Sequence, residues 1–479
     1  MKSKLISLFF GAVAFVSTAQ VSQPSLPVPG TRMSEAYVQQ IGRIAYFWGW
    51  PLVNMHNRRL LLGKIPEPGL MGGIVPVAPL NSLCMLRDYI EPQERLVACP
   101  NQDVVYGFGI LSMEQEPVVI QVPDFGDRFW VYQMCDQRTD GFGALGKMYN
   151  SKPGFYLLTG PNWKGRAPMG IANVFRCPTD MGVVIPRVFV NDDPADKAAV
   201  QPLVNGIVMY PLSQFDGKMK TKDWSAVPKF PNASANQGEQ ETQWVTPASF
   251  FDELSDVLLE VPPQPGEQAL YASIASVLAA AAKDEKLAVA LKRAAADADA
   301  ELVAPLFKFQ NAGIPLPYNW STINNGAAFG VDYLTRTAAA KANIFVNRTN
   351  ETKYFYQDLD DKGRTLNGKW QYTVTFPPRQ LPPVKGFWSL TLYNEHHFFA
   401  PNAINRYSVG TKNKGLKLNG DGSLTIQIQA EPPADPANWL PAPKDADFVL
   451  YLRAYWPEEV VSNGRWTPPA VQVAATPSR

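Results

Sequence analysis

The sequence predicts a mainly β protein with an α-helical insert, and three observations indicate this. Short aromatic or β-branched runs that end at Asn, Gly or Pro fill the last hundred residues, as at 387–394. Similar runs recur from about residue 70 to 235, and Ala-rich stretches with helical periodicity lie between the two regions. Half-buried strands joined by such turn residues are typical of β-sandwiches. The protein is too long for one core, so we expect several domains.

The N-terminus predicts an export signal at 1–19. Lys2 and Lys4 give a positive start, residues 5–16 are apolar, and the small residues 17–19 suit cleavage after Ala19. A retained anchor is the alternative, but the stretch is shorter than the roughly 20 apolar residues of a membrane span. We therefore expect a periplasmic or secreted protein. No later stretch is a transmembrane candidate.

Composition excludes one class of partner. The chain has 44 basic and 43 acidic residues without a basic run, so it lacks the electrostatic footprint of a nucleic-acid-binding protein. A G-x-G-x-x-G pattern at 141–146 is not followed by a predicted helix, so we expect no nucleotide cofactor. A small molecule, a glycan and an oligomeric partner stay open.

The four cysteines leave two interpretations. Their spacings match no zinc pattern and contain no C-x-x-C. In an oxidising compartment they allow one or two disulfides, whereas buried free thiols are the alternative. They are Cys84, Cys99, Cys135 and Cys177.

The leading segment 34–62 predicts a helix, because apolar residues recur at helical spacing and Ser34 suits its start. Pro51 should kink or end that helix. Further helices are predicted at 249–261, 267–282, 284–306 and 332–342. Thr246 is the expected N-cap of the first of these, with Pro247 at its first helical position.

Strands are predicted most clearly at 118–122, 129–134, 155–158 and 181–190, and again from about residue 351. The polar composition of segment 218–243 predicts a linker. The predicted organisation is a signal at 1–19, a β-sandwich domain with a leading helix at 35–235, a helical segment at 245–345 and a β-domain at 351–475.

Several motifs together resemble a known bacterial family. The N-terminal motifs lie at 45–52, 101–103 and 117–120, and the C-terminal ones at 387–394, 402–408, 422–426, 438–441 and 455–457. They resemble an exported family that joins the domain of unknown function numbered 1254 to the one numbered 1214. This resemblance implies an Ig-like β-sandwich, a helical segment and a jelly-roll-like C-terminal β-domain. It implies no established reaction and no catalytic positions. Val104 departs from the family pattern, which has Thr after the Asp at 103.

Histidine chemistry is limited to His56, His396 and His397. A metal site with so few imidazoles would need Asp or Glu ligands as well, and we predict none. The adjacent pair predicts a turn at a strand end, with one ring buried and the other solvated. His56 follows an apolar helix face in a polar cluster, where it is a candidate base or part of a surface or capping cluster.

Two polar constellations are candidate ligand sites. Asn101, Asp103 and Tyr106 can orient a ligand hydroxyl or amine, unless Asn101 and Asp103 only close a turn. Arg406, with Trp388 and Trp439 on other segments, can hold a carboxylate or stack on a ring. Otherwise these aromatic side chains belong to the core and Arg406 pairs with an acid.

Two function hypotheses follow. In the first, the protein binds a small molecule, glycan or partner in a cleft between its β-domains. In the second, it hydrolyses an ester, amide or lactone. His56 or Asp103 would then be the base, water the nucleophile, and Arg406 the group that stabilises an anionic intermediate. Binding is favoured, because the sequence assembles no catalytic triad.

Overall fold

The computed structural model describes residues 31–232, 238 and 240–474. The predicted export signal lies outside the described residues. The architecture is mainly β, with sandwich-like sheets and a helical segment, as predicted. The helices, in chain order, are α1 Glu35–Leu62, α2 Pro194–Ala199, α3 Gln201–Asn205, α4 Phe250–Glu260, α5 Gln268–Ala281, α6 Glu285–Ala298, α7 Tyr333–Ala342 and α8 Glu459–Ser462.

The first half of the chain forms three sheets among the described residues. Their strand orders are β11-β1-β2, β10-β5-β7-β8 and β3-β4-β9-β6. The strands are β1 Gly69–Met71, β2 Val75–Val77, β3 Cys84–Met85, β4 Val104–Ser112, β5 Val118–Val122, β6 Trp130–Asp136, β7 Gly154–Thr159, β8 Ile171–Arg176, β9 Met181–Phe189, β10 Met209–Pro211 and β11 Lys229–Phe230.

The second half forms a six-stranded sheet, β12-β13-β14-β20-β16-β17, and a four-stranded one, β19-β18-β15-β21. Apolar side chains of both sheets pack into one core cluster. The strands are β12 Ile314–Pro315, β13 Ser321–Thr322, β14 Thr352–Gln357, β15 Tyr372–Phe376, β16 Trp388–Asn394, β17 Ser408–Gly410, β18 Leu424–Gln429, β19 Trp439–Pro441, β20 Phe448–Tyr455 and β21 Val471–Val473.

Helix α1 packs against α4, α5, α6 and α7, and it continues through Pro51 without ending there. The helix does not end at Pro51, so that part of our expectation is wrong. The expectation does not take account of α7, which packs beside this part of α1. Proline lacks the N–H that would bind the Phe47 carbonyl. The Thr337 hydroxyl donates to that carbonyl at 2.9 Å instead, which satisfies the group that Pro51 leaves without an intrahelical donor. At the start of α1, Ser34 accepts from the Tyr37 N–H, as predicted.

The strands predicted at 118–122, 129–134, 155–158 and 181–190 are all confirmed within a residue or two. Two helix predictions are corrected. Helix α4 begins at Phe250 rather than beside Pro247, because Thr246 bonds the Ser249 hydroxyl at 2.6 Å and not the helix N-terminus. The stretch 284–306 is not one helix, since α6 passes into a π-turn and then a 3-10 turn that contains Pro305.

The four cysteines are buried and free, so the thiol interpretation holds in the structure. Burial raises the pKa of the Cys84 thiol to about 12. Such a thiol carries almost no thiolate at neutral pH, and it is a packing group rather than a nucleophile.

Segment 99–103 joins the two halves of the molecule through hydrogen bonds from each of its residues. Cys99 N–H donates to the His397 carbonyl at 2.9 Å, and the Tyr393 hydroxyl donates to the Pro100 carbonyl. Asn101, Gln102 and Asp103 bond the second half through Tyr455, Lys412 and Ser408, in that order. The packing is also shared, because one apolar cluster contains side chains from sheets of both halves.

We predict that Thr337→Val lowers the free energy of unfolding by about 1–2 kcal/mol, because it leaves the partly buried Phe47 carbonyl without a donor. Urea denaturation measures the change. In a Pro51→Ala background the restored N–H of residue 51 supplies that donor, so the same substitution should cost markedly less. Equal costs in both backgrounds would contradict this explanation.

Candidate functional site

A cavity of about 100 Å³ lies where the two halves meet. One buried water needs about 10–15 Å³ of such space, so the cavity is large enough for a small organic molecule. Its walls come from the end of α1, from β2, β4 and β9, and from the loop at 90–100. The other side is formed by Trp244, the segment after α7, and strands β14 and β20. The walls are mainly apolar and aromatic, with a few charged groups among them.

Two arginines from different sheets line this cavity in the same cross-strand arrangement. Arg187 on β9 lies opposite Tyr106 on β4, and Arg453 on β20 lies opposite Tyr354 on β14. All four residues line the cavity. Both guanidinium groups are almost completely buried, at 5% and 2% exposure. A buried charge without a counter-charge is costly, so its partners determine what the site can do.

Arg187 is held by neutral groups. Its Nη1 donates to the hydroxyls of Tyr106 at 3.1 Å and Tyr455 at 3.5 Å. Its Nη2 donates to the Gln133 side-chain carbonyl and to the Phe345 carbonyl. The Nε–H is buried and has no hydrogen-bond acceptor in the described part of the chain.

Arg453 is held in the same way by groups from both halves. Its Nη2 donates to the Cys99 carbonyl and the Tyr393 hydroxyl, each at 2.8 Å, and its Nη1 donates to Thr391 Oγ1 at 3.1 Å. The guanidinium also lies 4.0 Å from the ring centroid of Tyr451, a distance that suits a cation–π contact. No ion pair involves Arg187 or Arg453 among the residues that the structure describes.

Arg58, at the end of α1, is by contrast neutralised. Its Nη2 bonds the Glu241 carboxylate at 2.9 Å, and its other nitrogens donate to Asn54 Oδ1 and the Leu96 carbonyl. It also lies 4.3 Å from the Trp244 ring centroid. Arg58 therefore closes one end of the cavity without contributing an unbalanced charge.

Glu94 is the acid that lines the cavity. It is 2% exposed, and its Oε1 accepts from the backbone N–H of Leu96 and Val97, whereas Oε2 has no partner within residues 31–232, 238 and 240–474. Burial raises the pKa of this carboxyl from 4.5 to about 8, although the two backbone N–H groups and Arg58 oppose the shift. At neutral pH the group is therefore mostly protonated, and Oε2 can donate.

The two halves correspond to two known domain families. Residues 80–211 match the protein of unknown function DUF1254, and residues 351–459 match the protein of unknown function DUF1214. The chain joins a DUF1254 domain to a DUF1214 domain. This agrees with the resemblance found in its motifs. The cavity lies between these two domains, with Arg187 in the first and Arg453 in the second.

One solved structure supports the fold. The VPA0106 protein from Vibrio parahaemolyticus is 19% identical, with a TM-score of 0.61 over 91% of this chain and 100% of that chain. An uncharacterised protein from Burkholderia cenocepacia is 11% identical, with a TM-score of 0.46 over 92% of this chain and 95% of that one. None of the curated proteins matches the chain.

The structure does not bring the residues predicted from sequence into one site. Of these residues, only Tyr106 lines the cavity. His56 is buried on α1 and its Nδ1 lies 3.0 Å from Glu260 Oε2, which also accepts from Gln137. This contact joins His56 to Glu260 of α4, and not to Asp103 or Arg406.

Asn101 and Asp103 lie in the contact between the two halves of the molecule rather than in a ligand site. The Asn101 Oδ1 accepts from the Asp103 N–H at 2.5 Å, so this amide closes the turn that was the alternative interpretation. Asp103 Oδ1 accepts from Ser408 at 3.2 Å and lies 3.9 Å from Lys412 Nζ. These contacts link the DUF1254 domain to the DUF1214 domain.

Arg406, Trp388 and Trp439 lie in the DUF1214 domain and do not line the cavity. Arg406 Nη1 donates to three backbone carbonyls at 436–439, so its hydrogen bonds close a loop of its own domain. Trp388 packs against Phe376 in the core, and Trp439 donates to the Gln429 carbonyl. The contacts and burial of the two tryptophans favour the core interpretation. The expected pairing of Arg406 with an acid is wrong, because among the described residues its side chain bonds backbone carbonyls and forms no ion pair.

The histidine pair follows the sequence prediction. His397 is buried at 1% exposure, whereas His396 is partly exposed. The His397 ring stacks between Phe307 and Phe309, with centroids 4.0 and 4.4 Å away. In the part of the chain that the structure describes, no group of three or more His, Cys, Asp or Glu side chains is placed to hold a metal ion.

Arg187, Arg453 and Glu94 were missed by sequence analysis. A signal for the two arginines does exist, because each is the one charged residue of an otherwise apolar strand, β9 or β20. A charge in a strand that is buried on both faces needs a partner in the core. Glu94 lies in a polar loop and gives no such signal.

We predict that Glu94→Gln removes part of the pH dependence of stability. The folded-state pKa is raised, so the stability that Glu94 contributes is complete below about pH 4.5 and is lost as the pH rises through about 8. Glutamine mimics the protonated acid at every pH. The variant should therefore gain stability relative to the parent between pH 5 and 8, as measured by urea denaturation.

Asp136, whose pKa burial raises to about 7, titrates in the same window. Its effect cancels when the variant is compared with the parent. Glu458→Gln, on the surface, is the matched control and should leave the pH profile unchanged. Parallel pH profiles of Glu94→Gln and the parent would contradict the assignment.

Proposed function

We propose that this protein binds a small organic molecule in the cavity between its DUF1254 and DUF1214 domains. The observation that carries the proposal is the pair of buried arginines, Arg187 and Arg453, which line a mainly apolar cavity and have no carboxylate partner among the described residues. Ligand sites in proteins combine such apolar walls with a few converging polar groups.

The energetic argument supports the same function. Removing an ion from water costs several kcal/mol even after relaxation, and Arg cannot shed its proton to avoid that cost. Hydrophobic side chains would fill the space more stably. Side chains that destabilise a core in this way are typical of functional sites rather than of packing.

Export is part of the proposal. The apolar stretch at 5–16, with Lys2 and Lys4 before it, supports a periplasmic or secreted location. Among the described residues no helix is long and apolar enough to cross a membrane. A binding protein of this kind would meet its ligand outside the cytoplasm.

The contacts of His56, Asp103 and Arg406 favour binding over hydrolysis. His56 bonds Glu260, Asp103 bonds Ser408, and Arg406 bonds backbone carbonyls of its own domain. A hydrolase needs its base and its anion-stabilising group within reach of one substrate. These three side chains are engaged in separate places.

We predict that Ala98→Leu abolishes ligand binding without destabilising the protein. Ala98 is 1% exposed and lines the cavity, so leucine would occupy the space of the ligand. A panel of aromatic and short aliphatic acids, amides and alcohols should contain compounds that raise the melting temperature of the parent protein. The same compounds should leave the melting temperature of Ala98→Leu unchanged.

Ala195→Leu, at an exposed position of α2, is the matched control and should respond to the panel as the parent does. If the responding compounds stabilise Ala98→Leu equally, they bind elsewhere and the proposed site is wrong. A folded parent protein that responds to no compound in the panel would count against the function itself.

A further inference from the structure

We infer that the ligand is an organic monocarboxylate with an apolar body, and that its carboxylate accepts hydrogen bonds from Arg187 and its neighbours. This inference rests on the proposed function, because it identifies the class of molecule that the cavity would take. It follows from the hydrogen-bond donors that line the cavity and from the charge that they carry.

The cavity wall has more donors than acceptors. Among the described residues the buried Nε–H of Arg187 has no acceptor, and Arg453 makes hydrogen bonds only from Nη1 and Nη2. The Tyr106 hydroxyl accepts from Arg187, and the Tyr354 hydroxyl accepts from the Asn347 N–H. Neither hydroxyl donates a hydrogen bond to any residue that the structure describes. The two guanidinium groups and the two hydroxyls can therefore each donate a further hydrogen bond to an acceptor.

The unbalanced charge is positive. Arg187 and Arg453 form no ion pair with any described residue, whereas Arg58 at the same cavity is paired with Glu241 at 2.9 Å. The centroid of the Tyr106 ring lies 5.1 Å from the Arg187 guanidinium. A cation–π contact of this kind offsets only part of the free energy that is needed to bury the charge. An anion in the cavity would complete the charge balance.

The number and kind of donors favour a carboxylate over a phosphate. All the Nη hydrogens of Arg187 donate to protein acceptors, so it retains only Nε–H, whereas Arg453 retains Nε–H and one Nη1–H. Neither arginine keeps an Nη2–H free beside its Nε–H, so neither presents the two parallel N–H groups that grip a phosphate. The Nε–H of each arginine, together with the two hydroxyls, supplies the donors that the two oxygens of a carboxylate need, since these oxygens accept about four hydrogen bonds.

The remaining walls determine the rest of the ligand. Phe108, Trp244 and Phe345 line the cavity and offer apolar ring surface. A second negative group on the ligand would lie among these rings, where an unpaired charge is costly to bury. A single carboxylate on a flat or short aliphatic body fits this distribution.

Matched pairs of acid and amide test the inference, because each pair differs in charge but hardly in shape. Calorimetric titration would compare phenylacetate with phenylacetamide, and hexanoate with hexanamide. We expect the acid of at least one pair to bind at least about tenfold more tightly than its amide, since charge-assisted hydrogen bonds are the stronger class. Inorganic phosphate should not compete.

Two variants test which residues cause the preference for the acid over the amide. Arg187→Gln should reduce the affinity for the acid toward that for the amide and leave amide binding nearly unchanged. Tyr106→Phe keeps the ring and removes one donor, so it should weaken the acid preference without the loss of a charge. Tyr106→Phe also tests the inference if Arg187→Gln does not fold. Arg128→Gln, whose arginine pairs with Asp196 outside the cavity, is the matched control and should keep the full preference.

The outcomes separate the two proposals. Equal affinities for acid and amide would overturn the carboxylate inference and leave small-molecule binding intact. Competition by inorganic phosphate at similar concentration would also overturn it. Failure of both members of every pair to bind would contradict the proposed function itself. An acid preference that survives both Arg187→Gln and Tyr106→Phe would show that the carboxylate lies elsewhere.

Discussion

The burial of two guanidinium groups that have no carboxylate partner in the described part of the chain is the constraint on which the centre of this molecule depends. Arg187 and Arg453 lie on the central strands of two different sheets, where the surrounding residues are apolar. Each charge is held by hydroxyls and carbonyls that the opposite half of the molecule partly supplies. Arg453 bonds the Cys99 carbonyl, and Arg187 bonds the hydroxyl of Tyr455. The two domains must therefore dock before either arginine has its full set of protein acceptors.

That requirement explains why segment 99–103 is bonded so completely to the DUF1214 domain. Its carbonyls and side chains receive donors from Arg453, Tyr393 and Lys412, and Asn101 donates to Tyr455. The same segment borders the cavity at Cys99 and Pro100. The cavity is thus a property of the docked pair of domains, and a ligand there would bind and stabilise the docked arrangement.

The sequence predicts most of the fold and little of the site. Strands such as Val118–Val122 follow from local pattern, because their β-branched runs are bounded by prolines. The continuation of α1 through Pro51 does not follow from local pattern, since it depends on Thr337, which is distant in sequence. The same holds for Asn101 and Asp103, whose side chains could serve a ligand or a turn until their partners are known. The isolated arginines of β9 and β20 were detectable as charges in apolar strands. Their convergence with Tyr106 and Tyr354 depends on sheet register and docking, which no local pattern encodes.

The most direct test of this account is a crystal structure of the protein with phenylacetate or hexanoate, whichever binds more tightly. The account predicts electron density for the ligand in the cavity between the domains, with a carboxylate oxygen within hydrogen-bond distance of Arg187 Nε and the apolar body against Trp244 and Phe345. Density outside the cavity, or a carboxylate directed away from both Arg187 and Arg453, would contradict it.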